Sequence, residues 1–389
     1  MSKRKLRMGM VGGGPGAFIG EVHRKAARLD GGIELVAGAF DINPDKSREQ
    51  GRELLLPESR VYGTYREMIR GELKLPPGER IDFVSVTTPN NWHYLIARDF
   101  LKAGFHVMCE KPMTFNVPQA KKLKELVYNS NLSFGLMHNY TGYPMVKLAR
   151  DLVQRNELGE IRKIVVQYPQ GWLATALEET GQMQASWRTD PKQSGVAGCM
   201  GDIGSHCENL ARYITGLKIT HVCADLTIFV KDRKLDDDAN VLLRFDNGAK
   251  GVLHASQISI GEENNLAIWV YGEEKSLEWH QERPNYLYVK EPDGPMQVWR
   301  RGNDYVGEFS QAAKRATRLP SGHPEAFFEA FANNYCNFAD TIRARLARQK
   351  PTGLETDFPN VEDGLRGMLF IATVVASSKS KTKWYKMKE

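Results

Sequence analysis

Several features of secreted and membrane proteins are missing from this sequence of 389 residues. No apolar run approaches the ~20 residues of a membrane-spanning helix, and the first residues lack the apolar core of a signal peptide. The five cysteines are scattered without a Cys-x-x-Cys pair, which argues against a disulfide framework and against a zinc ribbon. These absences predict a protein of the reducing cytoplasm that has no membrane partner.

Blocks of charge of one sign are also lacking. The formal net charge is +6, and lysine and arginine are spread along the chain except for short basic stretches at its two ends. This distribution does not favour a nucleic-acid partner, and the absence of an arginine cluster argues against a phosphorylated substrate. The content of 41% hydrophobic and 26% charged residues is typical of a globular protein that can bury a core.

A glycine-rich turn follows the first apolar run. Leu6 to Val11 is apolar without a helical period and predicts a buried strand, and Glu21 to Leu29 predicts an amphipathic helix. Between them, glycine occupies positions 12, 13, 14, 16 and 20. Glycine lets a backbone approach a pyrophosphate, and a helix N-terminus offers N–H groups and a positive dipole end. The order strand, turn and helix therefore predicts a dinucleotide site.

The turn matches the dinucleotide fingerprint in the variant that ends in alanine, as Gly12-x-Gly14-x-x-Ala17. The spacing to Gly20 fits a turn lengthened by about three residues. The residues that cover the pyrophosphate could therefore be Gly14 to Ala17, or Phe18 and Ile19 beyond the insertion. An ordinary glycine-rich turn before a helix is the structural alternative. The candidate cofactor contacts here are Gly12, Gly14, Pro15, Gly16, Ala17, Phe18 and Ile19.

A second apolar run, Ile33 to Ala39, is followed by Asp41. An acidic side chain at the end of the second strand can accept hydrogen bonds from the adenosine ribose, and it would repel a 2′-phosphate. Asp41 therefore predicts NAD rather than NADP as the cofactor. The alternative is that Asp41 is the N-cap of a helix that begins near Pro44.

Strands and helices continue to alternate to about residue 140. Strands are predicted at Asp82–Thr88, His106–Cys109 and Phe134–His138, with helices at His93–Ala103 and Pro118–Asn129. This order predicts an α/β domain of residues 1–142 with a doubly wound parallel sheet, a Rossmann fold. Ligands bind at the C-terminal ends of such strands. The cofactor candidates at those ends are Thr88, Pro89, Asn90, His93, Glu110 and Lys111.

From about residue 143 the pattern becomes that of an antiparallel sheet. Short strands are predicted between Arg162 and Arg300, and Asp246-Asn247-Gly248 predicts a hairpin turn. Residues 143–389 are therefore predicted to form an α+β domain with a large, mostly antiparallel open sheet. A polar loop is expected from Pro169 to Gly201, and loops of this length inside a domain are usually functional.

Asp202 and His206 are four residues apart. If Asp202 opens a helix, both side chains project from one face and can act on one ligand. The structural alternative is an aspartate N-cap followed by an unrelated histidine. His206, Cys207 and Glu208 are adjacent, but neighbours along a helix diverge and the sequence contains no second ligand cluster, so no metal site is expected.

Three motifs together resemble the Gfo/Idh/MocA family of NAD(P)-dependent oxidoreductases. They are TTPNNWH (Thr87 to His93), AGFHVMCEKP (Ala103 to Pro112) and Asp202-x-Gly204-x-His206, and the resemblance extends over the whole chain. The Glu-Lys-Pro triplet at a strand end is far more selective than a glycine fingerprint. Within the family, the segments SWRTDP and GCMGDIGSH are most similar to the branch of levoglucosan and glucoside 3-dehydrogenases.

The resemblance implies that a secondary alcohol is oxidised and that its hydride passes to NAD. His206 is then the base that takes the hydroxyl proton, because an imidazole titrates near neutral pH. Lys111 would hydrogen-bond the reacting oxygen and stabilise the developing alkoxide. Asp202 would orient His206 or hold a neighbouring hydroxyl, and Glu110 would orient Lys111 or contact the nicotinamide ribose.

Aromatic and polar side chains of the second half suggest a sugar as the substrate. Tryptophan faces can stack on sugar rings, and arginine and amide groups can donate to hydroxyls. The branch resemblance implies oxidation at C3 of a pyranose, and the family resemblance implies a homodimer or homotetramer formed through the C-terminal sheet. The predicted substrate-binding residues are Asn139, Tyr140, Gln170, Trp172, Trp187, Arg188, Asp202 and His206.

Three other functions remain open. The family includes glycosidases that retain NAD and cleave through transient C3 oxidation and elimination, with the same lysine and histidine. An inositol or polyol dehydrogenase would use the same chemistry. A non-catalytic sugar sensor with this fold would be expected to have lost Lys111 or His206, and both residues are present.

Overall fold

The structure is a computed structural model that describes residues 4–388, and it divides into two compact units. The first unit comprises the chain up to Met137 together with Phe331–Leu365. Its strands are β1 (Leu6–Gly12), β2 (Ile33–Ala39), β3 (Phe83–Thr87), β4 (His106–Glu110) and β5 (Phe134–Met137). They form a parallel sheet in the order β2-β1-β3-β4-β5, so the direction of winding reverses at β1. This order confirms the predicted doubly wound fold.

Helices connect the strands of the first unit. They are α1 (Phe18–Arg28), α2 (Pro44–Glu53), α3 (Tyr65–Lys74), α4 (Asn90–Lys102) and α5 (Val117–Ser130). Local capping fixes several of their starts: the side chain of Asn43 accepts from the N–H of Asp45 at α2, and Asn116 accepts from Gln119 at α5. Helices α1 and α4 begin earlier than predicted, because their starts depend on how the preceding turns close.

The segment Phe331–Leu365 belongs to the first unit although it follows much later in the chain. The ring centroid of Phe338 lies 5.4 Å from that of Phe83 in β3, in an edge contact. The N–H of Leu136 in β5 donates to the carbonyl of Pro359. The compact units therefore differ from the predicted domains 1–142 and 143–389 in this segment, since its aromatic side chains are buried against the parallel sheet.

The second unit comprises His138–Ala330 and the chain from Arg366 onward. Its strands are β6 (Lys163–Pro169), β7 (Ile219–Thr227), β8 (Asp238–Phe245), β9 (Lys250–Ser256), β10 (Ala267–Tyr271), β11 (Ser276–His280), β12 (Tyr286–Lys290), β13 (Gln297–Arg300) and β14 (Tyr385–Lys386). They form one sheet in the order β13-β12-β11-β10-β6-β9-β8-β7-β14. Only β6 and β9 pair in parallel among these strands, which confirms the predicted, mostly antiparallel sheet.

One face of this sheet carries a row of apolar side chains, which we call the outer row. Across neighbouring strands, Leu242 lies opposite Val252, Val252 lies opposite Val165, and Val165 lies opposite Trp269. The residues that alternate with them along each strand are buried, whereas Leu242 is 46% exposed. The period of two therefore gives this sheet one core face and one apolar face that the described chain leaves partly exposed.

The predicted polar loop from Pro169 to Gly201 contains helices, so the prediction of a plain loop there is wrong. It holds a short 3₁₀ helix, α7 (Met183–Arg188) and α8 (Pro191–Ser194), and a short π-helix leads from its end into α9 (Ser205–Thr215). Side chains cap α7 and α8: Gln182 accepts from the N–H of Ala185, and Asp190 accepts from the N–H of Lys192. Such caps allow helices to form in a polar stretch where hydrophobic periodicity gives no signal.

The other helices are α6 (Pro144–Gln154), α10 (Asp304–Phe309), α11 (Gln311–Arg315), α12 (Phe327–Leu346) and α13 (Val361–Ser378). The longest, α12 and α13, have 20 and 18 residues. Within residues 4–388, none of the helices has both the length and the apolar character needed to cross a bilayer.

Candidate active site

The glycine turn after β1 is shaped for close approach of a ligand to the backbone. Gly12 has a φ of +86°, and a Cβ there would lie 2.6 Å from the carbonyl oxygen of Thr87. A Cβ on Gly14 would lie 2.8 Å from the carbonyl oxygen of Phe40. Neither position can hold a side chain without movement of the backbone, which explains why both are glycine.

Helix α1 begins at Phe18, and its N-cap, Ala17, provides no side-chain cap. The N–H of Ala17 donates to the carbonyl of Gly14, which closes the preceding turn. Phe18 and Ile19 form the start of the helix, where N–H groups and the dipole together attract phosphate. Of the two predicted positions for the pyrophosphate, we therefore expect the one at Phe18 and Ile19.

Gly20, rather than Ala17, lets α1 pack closely on the turn. A Cβ on Gly20 would lie 2.3 Å from Cα of Gly13. The lengthened turn thus places the closest contact between α1 and the turn at Gly20, three residues after Ala17.

Asp41 lies just beyond the end of β2, beside the glycine turn. A Cβ on Gly14 would be 3.4 Å from its Oδ2, and its Oδ1 accepts from the N–H of Asn43 at 2.8 Å. Because Asn43 is the N-cap of α2, the alternative that Asp41 caps this helix is wrong. The carboxylate thus lies next to the turn, where it could bind the ribose of NAD.

His93 joins two turns at the C-terminal ends of β3 and β4. Its ring is fully buried, with Nε2 2.8 Å from the carbonyl oxygen of Thr88 and Nδ1 2.8 Å from that of Pro112. Burial lowers the pKa of His93. We therefore expect His93 to act on the cofactor through the turns that it positions.

The buried hydroxyl of Thr88 begins the turn that also contains Pro89 and Asn90. It has no hydrogen-bond partner within residues 4–388, so it can bind a ligand.

Glu110 ends β4 and is bonded to a histidine of α1. Its Oε1 lies 2.6 Å from Nε2 of His23, and its Oε2 accepts from the N–H of Lys111 at 3.1 Å. Nδ1 of His23 lies 2.6 Å from the hydroxyl of Tyr335. Glu110 thus holds the backbone of Lys111, and its role in orienting the Lys111 side chain stays a prediction. The prediction lacked His23 and Tyr335, because 312 residues separate them and neither lies in a recognisable motif.

In the second unit, Asp202 lies in a π-helix, Met200–Gly204, directly before α9. Asp202 therefore lies within a helical segment that continues to His206, and not at the start of an α-helix. Asp236 anchors this segment: its two carboxylate oxygens accept from the N–H groups of Gly198 and Met200 at 2.8 and 2.7 Å. Burial raises the pKa of Asp236. Single π turns within helices frequently occur at functional sites.

The carboxylate of Asp202 is held by two side chains. Its Oδ2 accepts from Nε of Arg188 at 3.1 Å and from Nε2 of Gln257 at 2.9 Å. Arg188 is one of the predicted residues, whereas Gln257 was not predicted, since a single amide after a strand carries no signal in the sequence. Two donors on one oxygen fix the orientation of this carboxylate.

His206 is buried in α9, with 7% of its surface exposed. Its Nδ1 lies 3.3 Å from Nδ1 of His138, and its ring meets that of Tyr140 edge-on at a centroid distance of 4.8 Å. Burial raises the pKa of Tyr140 to about 12, so this phenol stays protonated at neutral pH. Tyr140 was predicted as a site residue, whereas His138, directly after β5, was not.

Polar side chains connect Tyr140 with Trp172, and we call this set the polar ladder. The hydroxyl of Tyr140 contacts that of Tyr168, which donates to Oδ1 of Asn264 at 2.6 Å. The amide of Gln170 donates to the same oxygen at 2.9 Å and accepts from Nε1 of Trp172 at 3.2 Å. The structure therefore brings together three predicted residues through two that the prediction lacked, Tyr168 and Asn264.

The guanidinium of Arg188 stacks on the two predicted tryptophans. Its Cζ lies 4.2 Å from the ring centroid of Trp187 and 5.8 Å from that of Trp172. Arg188 thus links the polar ladder to Asp202. Asn139 is the predicted residue outside this set: it is buried, and its Nδ2 has no hydrogen-bond partner in the part of the chain that the structure describes.

Two family models match the chain. The model described as oxidoreductase family, NAD-binding Rossmann fold (GFO_IDH_MocA) matches residues 6–138. The model of the GFO/IDH/MocA C-terminal domain matches residues 146–278.

The proteins similar to this chain match it over most of its length. An uncharacterized oxidoreductase of Bacillus subtilis is 32% identical over 99% of this chain and 98% of its own. Levoglucosan dehydrogenase of Pseudarthrobacter phenanthrenivorans is 27% identical over 74% of this chain and 76% of its own. The crystal structure of an inositol dehydrogenase homolog from Azotobacter vinelandii, complexed with NADH and myo-inositol, is 34% identical and matches 98% of each chain with a TM-score of 0.89.

Proposed function

Since the chain belongs to the Gfo/Idh/MocA family of oxidoreductases, we propose that it transfers a hydride to NAD from a secondary alcohol of a polyhydroxylated six-membered ring. One observation carries this proposal. Arg188 binds Asp202 and stacks on Trp187 and Trp172, so a carboxylate, donors and aromatic faces are joined in the segment that leads to His206. These groups are the ones that recognise a ring bearing several hydroxyls.

NAD, when bound, supplies the hydride acceptor. The residues of the first unit fit it: the uncapped helix start at Phe18 and Ile19 would bind the pyrophosphate. Asp41 would bind the adenosine ribose, and the hydroxyl of Thr88 is available to the cofactor. The same arrangement would disfavour NADP, because Asp41 would repel its 2′-phosphate.

The chain supplies the proton chemistry. His206 takes the proton of the hydroxyl group, a role that typically contributes about 10²- to 10⁴-fold to the rate. Lys111, whose backbone is held by Glu110, donates a hydrogen bond to the reacting oxygen as negative charge develops on it. Asp202, oriented by Arg188 and Gln257, accepts from a neighbouring hydroxyl and so selects the carbon that is oxidised.

Two ring substrates are candidates. The sequence motifs favour C3 of a pyranose, and the similarity to levoglucosan dehydrogenase supports that substrate class. An inositol ring is the second candidate, because the Azotobacter vinelandii homolog with myo-inositol is similar over almost the whole chain. Both substrates present adjacent secondary hydroxyls on a six-membered ring, so the same side chains would serve either.

A substrate panel with NAD tests this function. Levoglucosan, glucose, methyl glucosides, myo-inositol and glucose 6-phosphate are compared by the absorbance of NADH, and the ketone position is assigned by NMR. We expect NADH from an unphosphorylated ring and about a 10²- to 10⁴-fold loss of kcat in His206→Asn. His254→Asn, on the sheet away from these side chains, is the matched control. Cleavage of a glycoside without net NADH would establish the NAD-retaining glycosidase instead, and unchanged kcat in His206→Asn would refute the role of this base.

A further inference from the structure

Two histidines lie side by side in the second unit, and the proposed reaction uses only one of them. Nδ1 of His206 lies 3.3 Å from Nδ1 of His138, and the two rings are nearly perpendicular at 88°. Both side chains are buried. Two ring nitrogens form a hydrogen bond only when one carries a proton and the other presents a lone pair, so this contact constrains the tautomers of both rings.

We propose that His138 is a positioning residue that fixes the tautomer of His206 by accepting a hydrogen bond from its Nδ1–H. The inference rests on the proposed role of His206 as the base. In this tautomer the lone pair of neutral His206 is at Nε2, where it can receive a proton from the substrate. In the opposite tautomer, Nε2 already carries a hydrogen and the lone pair faces His138, so His206 cannot act as a base through Nε2.

The local structure holds His138 in place for this role. It directly follows β5, and its backbone carbonyl accepts from Oγ1 of Thr141 at 2.9 Å. The edge-on contact with Tyr140 restrains the His206 ring from a second direction. The hydroxyl of Tyr140 is directed to Tyr168 in the polar ladder. The imidazole of His138 is thus held where its Nδ1 can accept from Nδ1–H of His206.

His138 also acts on the charged form of His206. When the substrate O–H bond breaks, its electron pair stays on oxygen, and the proton forms the Nε2–H bond, which makes His206 an imidazolium. The C–H electron pair of the carbinol carbon leaves as hydride, which NAD would accept, and the electron pair left on oxygen forms the C=O double bond. The Nδ1–H to His138 bond then becomes charge-assisted and stronger.

Neighbouring titratable groups add little charge beside the pair. Asp202 and Glu208, which flank His206 in the sequence, are paired with Arg188 and Arg366, so neither adds an unbalanced charge. Burial raises the pKa values of Tyr140, Tyr168 and Cys207, so these groups remain neutral as the imidazolium forms. The hydrogen bond to His138 therefore stabilises the imidazolium.

The tautomer is measured directly in the protein without substrate or cofactor. Histidine is labelled with ¹⁵N, and long-range ¹H–¹⁵N spectra report which ring nitrogen carries the proton; the signals of His206 are identified by their loss in His206→Asn. We expect the Nδ1–H tautomer in the wild type and a shift toward Nε2–H in His138→Phe, which keeps an aromatic ring but has no acceptor. His138→Asn is the matched variant, because its Oδ1 can accept near the position of Nδ1 and should preserve the tautomer.

Kinetics give the second measurement. His138→Phe should lower kcat by about 10²-fold, at the lower end of the range for a positioned base, while KM and the Kd for NAD stay within about twofold. Loss of the acceptor destabilises the imidazolium, so the limb on which kcat rises with pH should move to lower pH. His138→Asn should restore most of kcat.

Specific results would overturn this inference. They are an Nε2–H tautomer of His206 in the wild type, an unchanged tautomer in His138→Phe, or a His138→Asn variant as impaired as His138→Phe. If His138→Phe fails to fold, the tautomer of His206 in the wild type and the tautomer and kcat of His138→Asn still decide whether the inference holds. The spectra require no substrate, so they are independent of the proposed function, which fails separately if His206→Asn leaves NADH formation unchanged.

Discussion

Nε2 of His23 lies 2.6 Å from Oε1 of Glu110, so the helix that follows the glycine turn is bonded directly to the residue before Lys111. His23 is fully buried, and Glu110 is 7% exposed. The helix start that would bind phosphate and the lysine that would act on the substrate oxygen are therefore fixed to one another within the parallel-sheet unit. A change at His23 should thus affect both the stability of this unit and its cofactor affinity.

His23→Leu should lower the free energy of unfolding by about 3–5 kcal/mol, because it leaves a buried carboxylate without its partner. Urea denaturation measures this loss, and fluorescence titration should show weaker NAD binding. The double variant His23→Leu/Glu110→Leu should lose less than the sum of the single variants, since no buried charge remains. Lys25→Ala, which removes an exposed ion pair with Glu21 from the same helix, is the control and should change little. A loss in His23→Leu no larger than that of the control would contradict the prediction.

Gly20→Ala should destabilise the first unit by about 1–3 kcal/mol, because its Cβ would lie 2.3 Å from Cα of Gly13 and α1 must move away from the turn. The same movement should raise the Kd for NAD. Gly367→Ala in α13 is the matched control: its Cβ would meet no atom of the described residues within 4 Å, so it should stabilise by about 0.5–1 kcal/mol. Equal effects of the two substitutions would show that α1 does not require this close contact.

His106 should make the protein less stable in mild acid. Nδ1 of His106 accepts from the N–H of Ser133 at 2.8 Å, and burial together with the charge of Arg345 lowers its pKa from 6.5 to about 4. The folded state therefore binds fewer protons than the unfolded state in this interval, so stability is complete above pH 6.5 and is lost as the pH falls toward 4. The shift corresponds to about 3 kcal/mol.

Denaturation midpoints across this pH interval measure the effect. His106→Asn, whose Oδ1 can accept from Ser133 but does not titrate, should remove most of the pH dependence while it preserves stability at neutral pH. An unchanged pH dependence in this variant would show that another group is responsible.

The outer row of the nine-stranded sheet should mediate self-association, as the predicted homodimer or homotetramer requires. Leu242→Glu places a charge on this row, at a side chain that is 46% exposed, and should shift the protein toward the monomer in analytical ultracentrifugation. Asn240→Glu adds the same charge one pleat away on the same face, beside the apolar row, and should have a smaller effect. A monomeric wild type would refute this prediction.

Elements defined by apolar runs could be predicted from the sequence. Strand β2 was predicted with the bounds that the structure shows, because a run of mostly apolar residues without a helical period marks it. The starts of α1 and α4 could not be predicted, because they depend on how the preceding turn closes. The segment with the π-helix at Asp202 is held by backbone N–H groups that donate to Asp236, which is 34 residues after Asp202 in the sequence.

The residues of the candidate site could also be predicted only in part. Lys111, Asp202 and His206 were predicted because their motifs resemble those of a family. The residues that hold them were not: His23 binds Glu110, Gln257 binds Asp202 and His138 contacts His206 only through the tertiary fold. Polar residues of this kind look like ordinary members of their helices and strands, so only the folded chain shows what they position.

The first unit includes Phe331–Leu365, and this has a consequence for how the protein is made. A ribosome that has released the five parallel strands has not yet produced the aromatic side chains that cover β3 or the carbonyl of Pro359 that pairs with β5. The strands keep apolar surface exposed until residue 365 has emerged. The parallel-sheet unit, although its strands precede the second unit in the sequence, is therefore completed only after most of the second unit has been synthesised.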